Sequence, residues 1–435
     1  MADLHVLPIA TEAIFINPHN ARTHTAQQVD QIAASIKRFG FTNPVLLDEM
    51  NILIAGHGRL AAAKTLGIEI LPAIRIAHLS EPEKRALMLA DNKIAANAGW
   101  DIDRLTTELA DLSALELDFD LEVTGFETAE IDLLLTGDEP KGEQEILPPP
   151  DERAPKVCDR GDLWILGKHR ILCGDARNAD DVARLMREDR AAVGFTDPPY
   201  NVPIAGHVSG GGKVTHREFT EAVGEMNEAE FTSFLTEAFT LASSYSKPGA
   251  VWYACMDWRH MAEIISAGKS AFGPLINLCV WAKTNGGMGS LYRSQHELVF
   301  VFRNGMVQHR NNVQLGKFGR NRTNLWTYPG VNTFRNGRME ELHAHPTAKP
   351  VAMIEDALLD VSKRGDIVFD SFLGAGATLI AAEKSGRVAR GIEIDPLYVD
   401  ATLRRWRKLT GEEPLRERDG KYFSALECEI IEAAE

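Results

Sequence analysis

The residues best suited to chemistry are Asp197-Pro198-Pro199-Tyr200, which directly follow the apolar run at 191–195. Because two prolines cannot continue a strand's hydrogen-bond ladder, the run predicts a strand that stops at the carboxyl edge of a sheet, where open α/β folds bind ligands. An amine conjugated to an aromatic base is a poor nucleophile, since its lone pair is shared with the ring. The Asp197 carboxylate and the Pro198 carbonyl could accept its N–H groups and free that lone pair for attack, while Tyr200 stacks on the base.

A glycine turn forms the second candidate site. The segment 369–376, Phe-Asp-Ser-Phe-Leu-Gly-Ala-Gly, follows a predicted strand at 366–368. A strand that ends in such a turn and opens a helix lets the backbone approach a ligand and aims N–H groups at it. Glu393 follows about 20 residues after Gly374, the spacing at which an acid meets a ribose in nucleotide-binding folds.

A third motif, His-Pro-Thr-Ala-Lys-Pro at 345–350, stands shortly before the glycine turn. Pro350 followed by Val351 makes a favourable first turn of a helix. The residues alone leave open whether this motif only begins a helix or also binds a ligand.

The elements around these motifs divide the chain into regions. Residues 1–96 have the pattern of a small α+β domain, with strands predicted at 44–47 and 52–55 and helices before and after them. Residues 97–156 comprise an acidic segment with helical spacing and a proline-rich linker. From 157 to 420 strands alternate with helices, which predicts a doubly wound α/β sheet, and 421–435 are expected to be a poorly ordered tail.

Composition excludes several classes of protein. The chain is 44% apolar and 25% charged, has no apolar run of roughly 18–20 residues and no secretory signal at its start, so we expect a cytoplasmic protein without a membrane span. The five cysteines form no Cys-x-x-Cys pair, which argues against a disulfide framework or a metal site. None of them follows a proline, as a nucleophile for methylation at carbon 5 of cytosine typically does.

The net charge of −15 is unevenly distributed. Residues 101–153 contain 17 acidic and 3 basic side chains and hold nearly all of the excess, whereas 281–340 contain 9 basic and 2 acidic ones. A basic segment in an acidic chain is a candidate contact for a nucleic-acid backbone, although by itself it is more often only a solvated surface.

In this order the three motifs resemble the amino-methyltransferases of DNA in the β arrangement, over roughly residues 157–410. The resemblance implies a Rossmann-like sheet, the cofactor S-adenosylmethionine, double-stranded DNA as partner, base flipping and direct in-line transfer of a methyl group. The implied catalytic residues are Asp197, Pro198, Pro199 and Tyr200. The implied cofactor-binding residues are Asp175, Lys349, Asp370, Phe372, Gly374, Gly376, Thr378 and Glu393.

The resemblance also bears on the target. Aspartate at 197 favours N6 of adenine, because the cytosine-N4 enzymes of this family more often carry serine there; cytosine-N4 methylation is the alternative. The basic stretch 281–340 falls where such enzymes read their target sequence. Arginines that could contact phosphates or bases in this stretch are Arg320, Arg322, Arg335 and Arg338.

The segments 17–22, 35–45 and 54–59 resemble the nucleotide-binding N-terminal domain of ParB partition proteins, over about residues 6–96. In that family a glycine-and-arginine box at a helix start holds nucleotide phosphates, which agrees with the attraction of anions to helix N-termini. A nucleoside triphosphate is therefore a second candidate ligand, at Arg22, Gly56, His57 and Arg59. Sulfiredoxins share the fold, but their catalytic cysteine is absent, and no helix-turn-helix half of a partition protein is found.

We therefore expect a ParB-like domain joined to a site-specific, adenine-N6 DNA methyltransferase, which could serve restriction-modification or act as a homodimer. A rival of another class is a DNA-binding, partition-like scaffold whose methyltransferase fold is inactive. The presence of Asp197 and Tyr200 argues against that rival.

Overall fold

The chain divides into two units, Met1–Asp138 and Glu139–Glu435. The computed structural model describes residues 4–115, 117–136, 150–151, 153–202, 222, 224–283, 291–317, 320–329 and 349–434. No helix in these ranges is long and apolar enough to span a membrane.

The first unit begins with a four-stranded sheet in the order β1-β4-β2-β3. Its strands are β1 (Val6–Ala10), β2 (Val45–Leu47), β3 (Leu53–Ala55) and β4 (Ile70–Arg75). Its helices are α1 (Ala26–Phe39), α2 (His57–Thr65) and α3 (Glu81–Ala96). Val45, Leu53 and Leu60 are buried in the core between sheet and helices. The strands predicted at 44–47 and 52–55 are confirmed to within one residue at each start.

The acidic segment folds as predicted by its helical spacing. It contains α4 (Ile102–Ala114), a 3₁₀ turn (Leu121–Thr124) and α5 (Thr128–Thr136). The Asp101 side chain caps α4 by accepting a hydrogen bond from the backbone N–H of Arg104. Gly125 ends the 3₁₀ turn with a left-handed φ of 95°, a conformation that glycine adopts without strain.

The second unit is built on a ten-stranded sheet in the order β11-β9-β10-β8-β7-β12-β13-β6-β5-β14. Its strands are β5 (Leu163–Leu166), β6 (His169–Cys173), β7 (Ala191–Thr196), β8 (Ser246–Met256), β9 (Leu275–Ala282), β10 (His296–Arg303), β11 (Leu325–Thr327), β12 (Ile367–Asp370), β13 (Val388–Glu393) and β14 (Leu415–Arg416). Its helices are α6 (Ala179–Met186), α7 (Glu228–Ser244), α8 (Met261–Ala271), α9 (Val351–Val361), α10 (Ala377–Lys384), α11 (Pro396–Thr410) and α12 (Phe423–Ala434).

The centre of this sheet is parallel. Strands β8, β7, β12, β13 and β6 run side by side in the same direction, and apolar side chains cover both of their faces. This is the Rossmann-like arrangement expected from the alternation of strands and helices. Antiparallel β10 and β9 extend the sheet beyond β8.

The expectation of a poorly ordered tail over 421–435 is wrong. Residues Phe423–Ala434 form α12, and the ring of Phe423 is fully buried with its centroid 5.5 Å from that of Trp164. Arg404 on α11 also pairs with Glu427 at 2.8 Å. The expectation rested on the usual disorder of chain ends, whereas the buried side chains of Phe423 and Leu426 hold this segment on the domain.

Candidate active site

Four of the predicted acidic residues lie at neighbouring strand ends. Because β7, β12, β13 and β6 are adjacent and parallel, their carboxyl ends meet at one edge of the sheet. Asp197 follows β7, and Asp370 and Glu393 end β12 and β13. Asp175 lies two residues beyond β6, and the intervening Gly174 N–H donates to the Glu393 carbonyl at 3.0 Å.

Asp197 is held by two side chains. The Tyr200 hydroxyl donates to its Oδ1 at 2.8 Å, and the Lys349 Nζ lies 2.6 Å from its Oδ2. The same Nζ is 3.2 Å from the Tyr200 oxygen. The Lys349 side chain is only 3% exposed, whereas Asp197 is 25% exposed, so the carboxylate is partly accessible and the ammonium is not. Lys349, which the family resemblance placed at the cofactor, therefore contacts the Asp197 carboxylate.

Glu297 belongs to the same cluster and was not predicted from the sequence. It is the second residue of β10, and its Oε2 lies 3.0 Å from Lys349 Nζ and 3.1 Å from the Tyr200 hydroxyl. Its other oxygen pairs with Lys283, at the start of the loop after β9. The only signal in the sequence is an acid directly before the apolar run 298–302, which does not by itself indicate a site.

The charges in this cluster depend on each other. Burial raises the pKa of the Asp197 carboxyl, Lys349 opposes that rise and Glu297 adds to it. Burial would raise the pKa of Glu297 as well, but Lys349 and Lys283 bring it down to about 2. Burial would lower the pKa of the Lys349 ammonium, but Asp197 and Glu297 raise it above its usual value. Lys349 and Glu297 are therefore charged at neutral pH. Of the two carboxyl groups, Asp197 is the weaker acid.

The glycine turn lies next to this cluster, at the end of β12. Gly376 caps α10 with a left-handed φ of 86°, and a Cβ at this position would lie 2.6 Å from Thr402 Cγ2. Gly374 also has a left-handed φ, of 52°, but a Cβ there would meet nothing within 4 Å. Gly376 thus permits close packing of the turn on α11, while Gly374 leaves open space in front of the backbone.

Glu393 connects the turn with the neighbouring strand. Its Oε2 accepts the Gly374 N–H at 2.8 Å and its Oε1 accepts the Asp395 N–H at 2.9 Å. Burial raises the pKa of Glu393 and of Asp370 to about 7, despite the hydrogen bonds that each carboxylate accepts. Those of Asp370 come from the Phe372 N–H at 3.0 Å and from the Thr378 side chain.

Asp175 and Phe372 lie at either end of a chain of contacts at this edge. Asp175 pairs with Arg177 at 2.8 Å, and that guanidinium stacks 4.8 Å above the Phe234 ring. The Phe234 ring in turn is 5.9 Å from that of Phe372. Two residues that the sequence analysis assigned to the cofactor are thereby connected through side chains that it did not identify.

The assignment of Arg320 and Arg322 to DNA is corrected by the structure. Both guanidiniums are largely buried and pair with carboxylates of α9, Arg320 with Asp360 at 2.7 Å and Arg322 with Asp356 at 3.1 Å. Carboxylates inside the domain neutralise both charges, so the stretch 281–340 presents fewer positive charges at the surface than its composition suggested. Arg335 and Arg338 lie outside the described residues, as do positions 345–348 of the third motif.

The predicted site of the first unit is a helix start. Gly56 caps α2 with a left-handed φ of 103°, and the buried Nε2 of His57 has no hydrogen-bond partner among the described residues. Burial lowers the pKa of His57. Arg59 Nη1 donates to the Asn43 carbonyl at 2.9 Å, and Arg22 Nη1 donates to the Asn92 carbonyl at 3.2 Å.

Three family models match the chain. A model described as DNA methylase, of the N6/N4 type, matches residues 192–404, and the ParB N-terminal domain matches 2–93. A third, described as a ParB-methyltransferase HTH domain, matches 103–159. The last match overturns the expectation that no helix-turn-helix half is present. The helical spacing of this segment was recognised, but its acidic composition gave no indication of a helix-turn-helix.

Individual relatives match one unit or the other. The ParB-like nuclease domain-containing protein YnaK of Escherichia coli K12 is 51% identical over 67 residues, which are 15% of this chain and 77% of YnaK. The type II methyltransferase M.HpaI of Haemophilus parainfluenzae is 24% identical over 250 residues, 54% of this chain and 73% of that protein. A crystal structure of an M1.HpyAVI–SAM complex aligns with a TM-score of 0.38 and 17% identity, over 54% of this chain and 98% of that one.

The carboxyl edge of the sheet has features that fit S-adenosylmethionine, the cofactor that the family resemblance implies for the methylase domain. The space in front of Gly374 admits a ligand, and the Glu393 carboxylate at the end of β13 suits a ribose. Residues 192–404 therefore form a domain of the N6/N4 DNA methylase family, and a ParB N-terminal domain precedes it in the chain.

Proposed function

We propose that this protein methylates the exocyclic N6 of adenine at a specific site in double-stranded DNA, acting on a base that is turned out of the helix. The observation that supports this most directly is the Asp197 cluster next to the glycine turn. Strands β7 and β12, which carry the two, are hydrogen-bonded neighbours. A target amine at Asp197 would thus lie close to a cofactor at Gly374, as direct transfer requires.

Each residue of Asp197–Tyr200 has a role in this proposal. When bound, S-adenosylmethionine supplies the methyl group. The Asp197 carboxylate and the Pro198 carbonyl accept the N–H groups of the amine and direct its lone pair, Pro199 fixes the turn that presents them, and the Tyr200 ring stacks on the base. Lys349 holds Oδ2 of Asp197 in place, so the carboxylate does not need to be oriented during the reaction.

The choice of adenine rests on the carboxylate. A carboxylate is a stronger acceptor for an amine proton than a serine hydroxyl, and the cytosine-N4 enzymes that the chain resembles more often carry serine at this position. Cytosine-N4 methylation uses the same geometry and is the alternative. A scaffold without methyltransferase activity would not need a buried lysine that contacts Asp197, so this contact favours the enzyme.

The test is to identify the methylated nucleoside. The full-length protein is incubated with mixed-sequence DNA and labelled S-adenosylmethionine, and the DNA is then digested and separated, with Asp197→Ala as the inactive control. N6-methyladenine in the wild-type digest alone supports the proposal, and sequencing the product gives the recognition site. N4-methylcytosine overturns the choice of base, and no label in either digest favours the scaffold.

We also propose that the first unit binds the phosphates of a nucleoside triphosphate at the start of α2. The buried Nε2 of His57 without a partner and the left-handed Gly56 support this, since helix N-termini attract anions. Binding of fluorescent nucleotides to the full chain tests it. Arg59→Ala should weaken binding and Arg85→Ala, an exposed arginine on α3, should not; equal affinities of all three proteins would contradict the assignment.

A further inference from the structure

The Lys349 ammonium has three acceptors arranged around it. They are Asp197 Oδ2 at 2.6 Å, Glu297 Oε2 at 3.0 Å and the Tyr200 oxygen at 3.2 Å. An ammonium has three N–H donors, so each of these contacts can be a hydrogen bond. Two of the three acceptors are carboxylates, one from the strand end that carries the target site and one from β10, two strands away.

The two carboxylates differ in what faces them. The Glu297 side chain is 8% exposed and pairs with both Lys283 and Lys349, whereas Asp197 is 25% exposed and pairs with Lys349. With Lys349 alone beside it, Asp197 would be neutralised by a full positive charge in a poorly solvated site. Glu297 draws on the same ammonium and so leaves Asp197 with more of its negative charge, which is what an amine needs as it becomes positive.

The Tyr200 hydroxyl adds a second connection. Its oxygen is 2.8 Å from Asp197 Oδ1 and 3.1 Å from Glu297 Oε2, and it has a single proton to donate. When Tyr200 donates to Asp197, Oδ1 is shared with the hydroxyl. When it donates to Glu297 instead, Oδ1 is free to accept the N–H of a target amine.

We propose that Glu297 is a positioning residue for methyl transfer. It offsets the charge of Lys349, and it accepts the hydrogen bond of the Tyr200 hydroxyl while Asp197 binds the target amine. This inference rests on the proposed role of Asp197. It assigns a function to a residue of β10 that lies 100 positions from Asp197 along the chain. Glu297 itself need not touch the base or the cofactor.

The test compares variants of the full-length protein in single-turnover methylation at saturating DNA and cofactor. Glu297→Gln keeps an acceptor for Tyr200 but removes the charge, and it should lower the rate about 10- to 100-fold without changing the dissociation constant of S-adenosylmethionine. Glu263→Gln is the matched control. Glu263 on α8 is also 8% exposed, and it pairs with His260 at 3.0 Å. Its variant should retain the wild-type rate.

The dependence of the rate on pH separates positioning from mere support of the fold. The titratable groups that act on Asp197 or are acted on by it are Lys349, Glu297, Tyr200, Cys255 on β8 and Asp370 on β12. Since the negative charge of Glu297 raises the pKa of Asp197, its removal should move the acid limb of the rate profile to lower pH. A loss of packing would lower the rate without moving that limb.

Each outcome decides the matter. A wild-type rate with an unmoved acid limb in Glu297→Gln, while Asp197→Ala is inactive, overturns the inference and leaves the proposed function intact. An active Asp197→Ala overturns both. If Glu297→Gln does not fold, Glu297→Asp takes its place: it keeps the charge but withdraws the carboxylate by one methylene, and a wild-type rate in that variant also contradicts the inference.

Discussion

Two of the buried networks of charged side chains in the methylase domain differ in which groups remain accessible to a ligand. In one, Lys349 and Lys283 balance Asp197 and Glu297 at the carboxyl edge of the sheet. In the other, Arg320 and Arg322 balance two carboxylates of α9. The two are connected at Trp281, which lies 5.9 Å from Lys349 Nζ and donates through its indole N–H to the Tyr328 carbonyl at 3.0 Å.

The second network is closed. Each of its arginines contacts both Asp356 and Asp360, and the Tyr328 hydroxyl donates to Asp356 Oδ2 at 2.5 Å. Among the described ion pairs of this network, no side chain is more than 18% exposed. In the first network the Asp197 carboxylate is 25% exposed and the Glu297 carboxylate 8%, so one carboxylate remains accessible. A buried charge network can thus either fasten a loop to a helix or present one group to a ligand, and the exposure of a single carboxylate distinguishes the two.

The largest effect is expected where the first network opens. Asp197→Ala should reduce methyl transfer by about 10³-fold or more, because the carboxylate acts on the amine in the transition state. Cofactor binding, measured by calorimetry, should be unchanged, since Glu393 and Gly374 are untouched. Near-normal turnover of this variant would remove the distinction between the two networks.

The closed network should respond in stability instead. Arg322→Met leaves Asp356 and Asp360 with an uncompensated buried charge, which should lower the free energy of unfolding by about 3–5 kcal/mol. Urea denaturation followed by circular dichroism measures this. Arg293→Met, an exposed arginine of the same basic stretch, should change it by less than about 0.5 kcal/mol. Equal stabilities of the two variants would show that the Arg322 pairs do not hold the fold.

What could be predicted from the sequence follows the same division. Asp197, Gly374 and Glu393 stand directly after strand patterns, so local periodicity and the rule for strand ends placed them correctly at one edge. Glu297 could not be found in this way. It reaches Asp197 only because β10 pairs with β8 and β8 with β7, a pairing that no short-range spacing encodes.

Charge composition was the weaker guide. The arginines of 281–340 were assigned to DNA because the segment is basic, but Asp356 and Asp360, which pair with Arg320 and Arg322, follow the segment in the chain and were not counted with it. The acidic composition of 97–156 likewise gave no sign of the helix-turn-helix domain that matches 103–159. Net charge reports on solubility and association rather than on fold.

The two glycines of the glycine turn should differ in the same way as the two networks, one in stability and the other in ligand binding. Gly376→Ala should lower the free energy of unfolding by about 1–3 kcal/mol, because its methyl would lie 2.6 Å from Thr402 Cγ2 at a left-handed φ. Gly374→Ala is also strained by its left-handed φ, but its methyl has room. It should therefore mainly weaken S-adenosylmethionine binding, about tenfold, by filling the space in front of the turn. Denaturation and calorimetry on both variants test this pair. A cofactor affinity that falls more in Gly376→Ala would reverse the roles.

Glu393 combines both kinds of behaviour, and its effect is expected to be the smallest. Burial raises its pKa from 4.5 to about 7, so between these values the folded protein binds more protons than the unfolded chain, and stability falls as pH rises. Glu393→Gln should remove this part of the loss and be more stable than the wild type near neutral pH, by about 1 kcal/mol.

The same variant should bind the cofactor less tightly. An ionised Glu393 accepts hydrogen bonds from hydroxyls more strongly than an amide does, so we expect a dissociation constant about tenfold higher above pH 7, and a smaller difference as the wild-type carboxyl is protonated below it. Urea titrations and calorimetry at about pH 5 and about pH 8 measure both effects. A variant that is less stable than the wild type at the higher pH would place Glu393 with the closed network, as a group that holds the fold; a gain in stability with a loss of affinity would place it with Asp197, as a group whose burial is unfavourable until a ligand is bound.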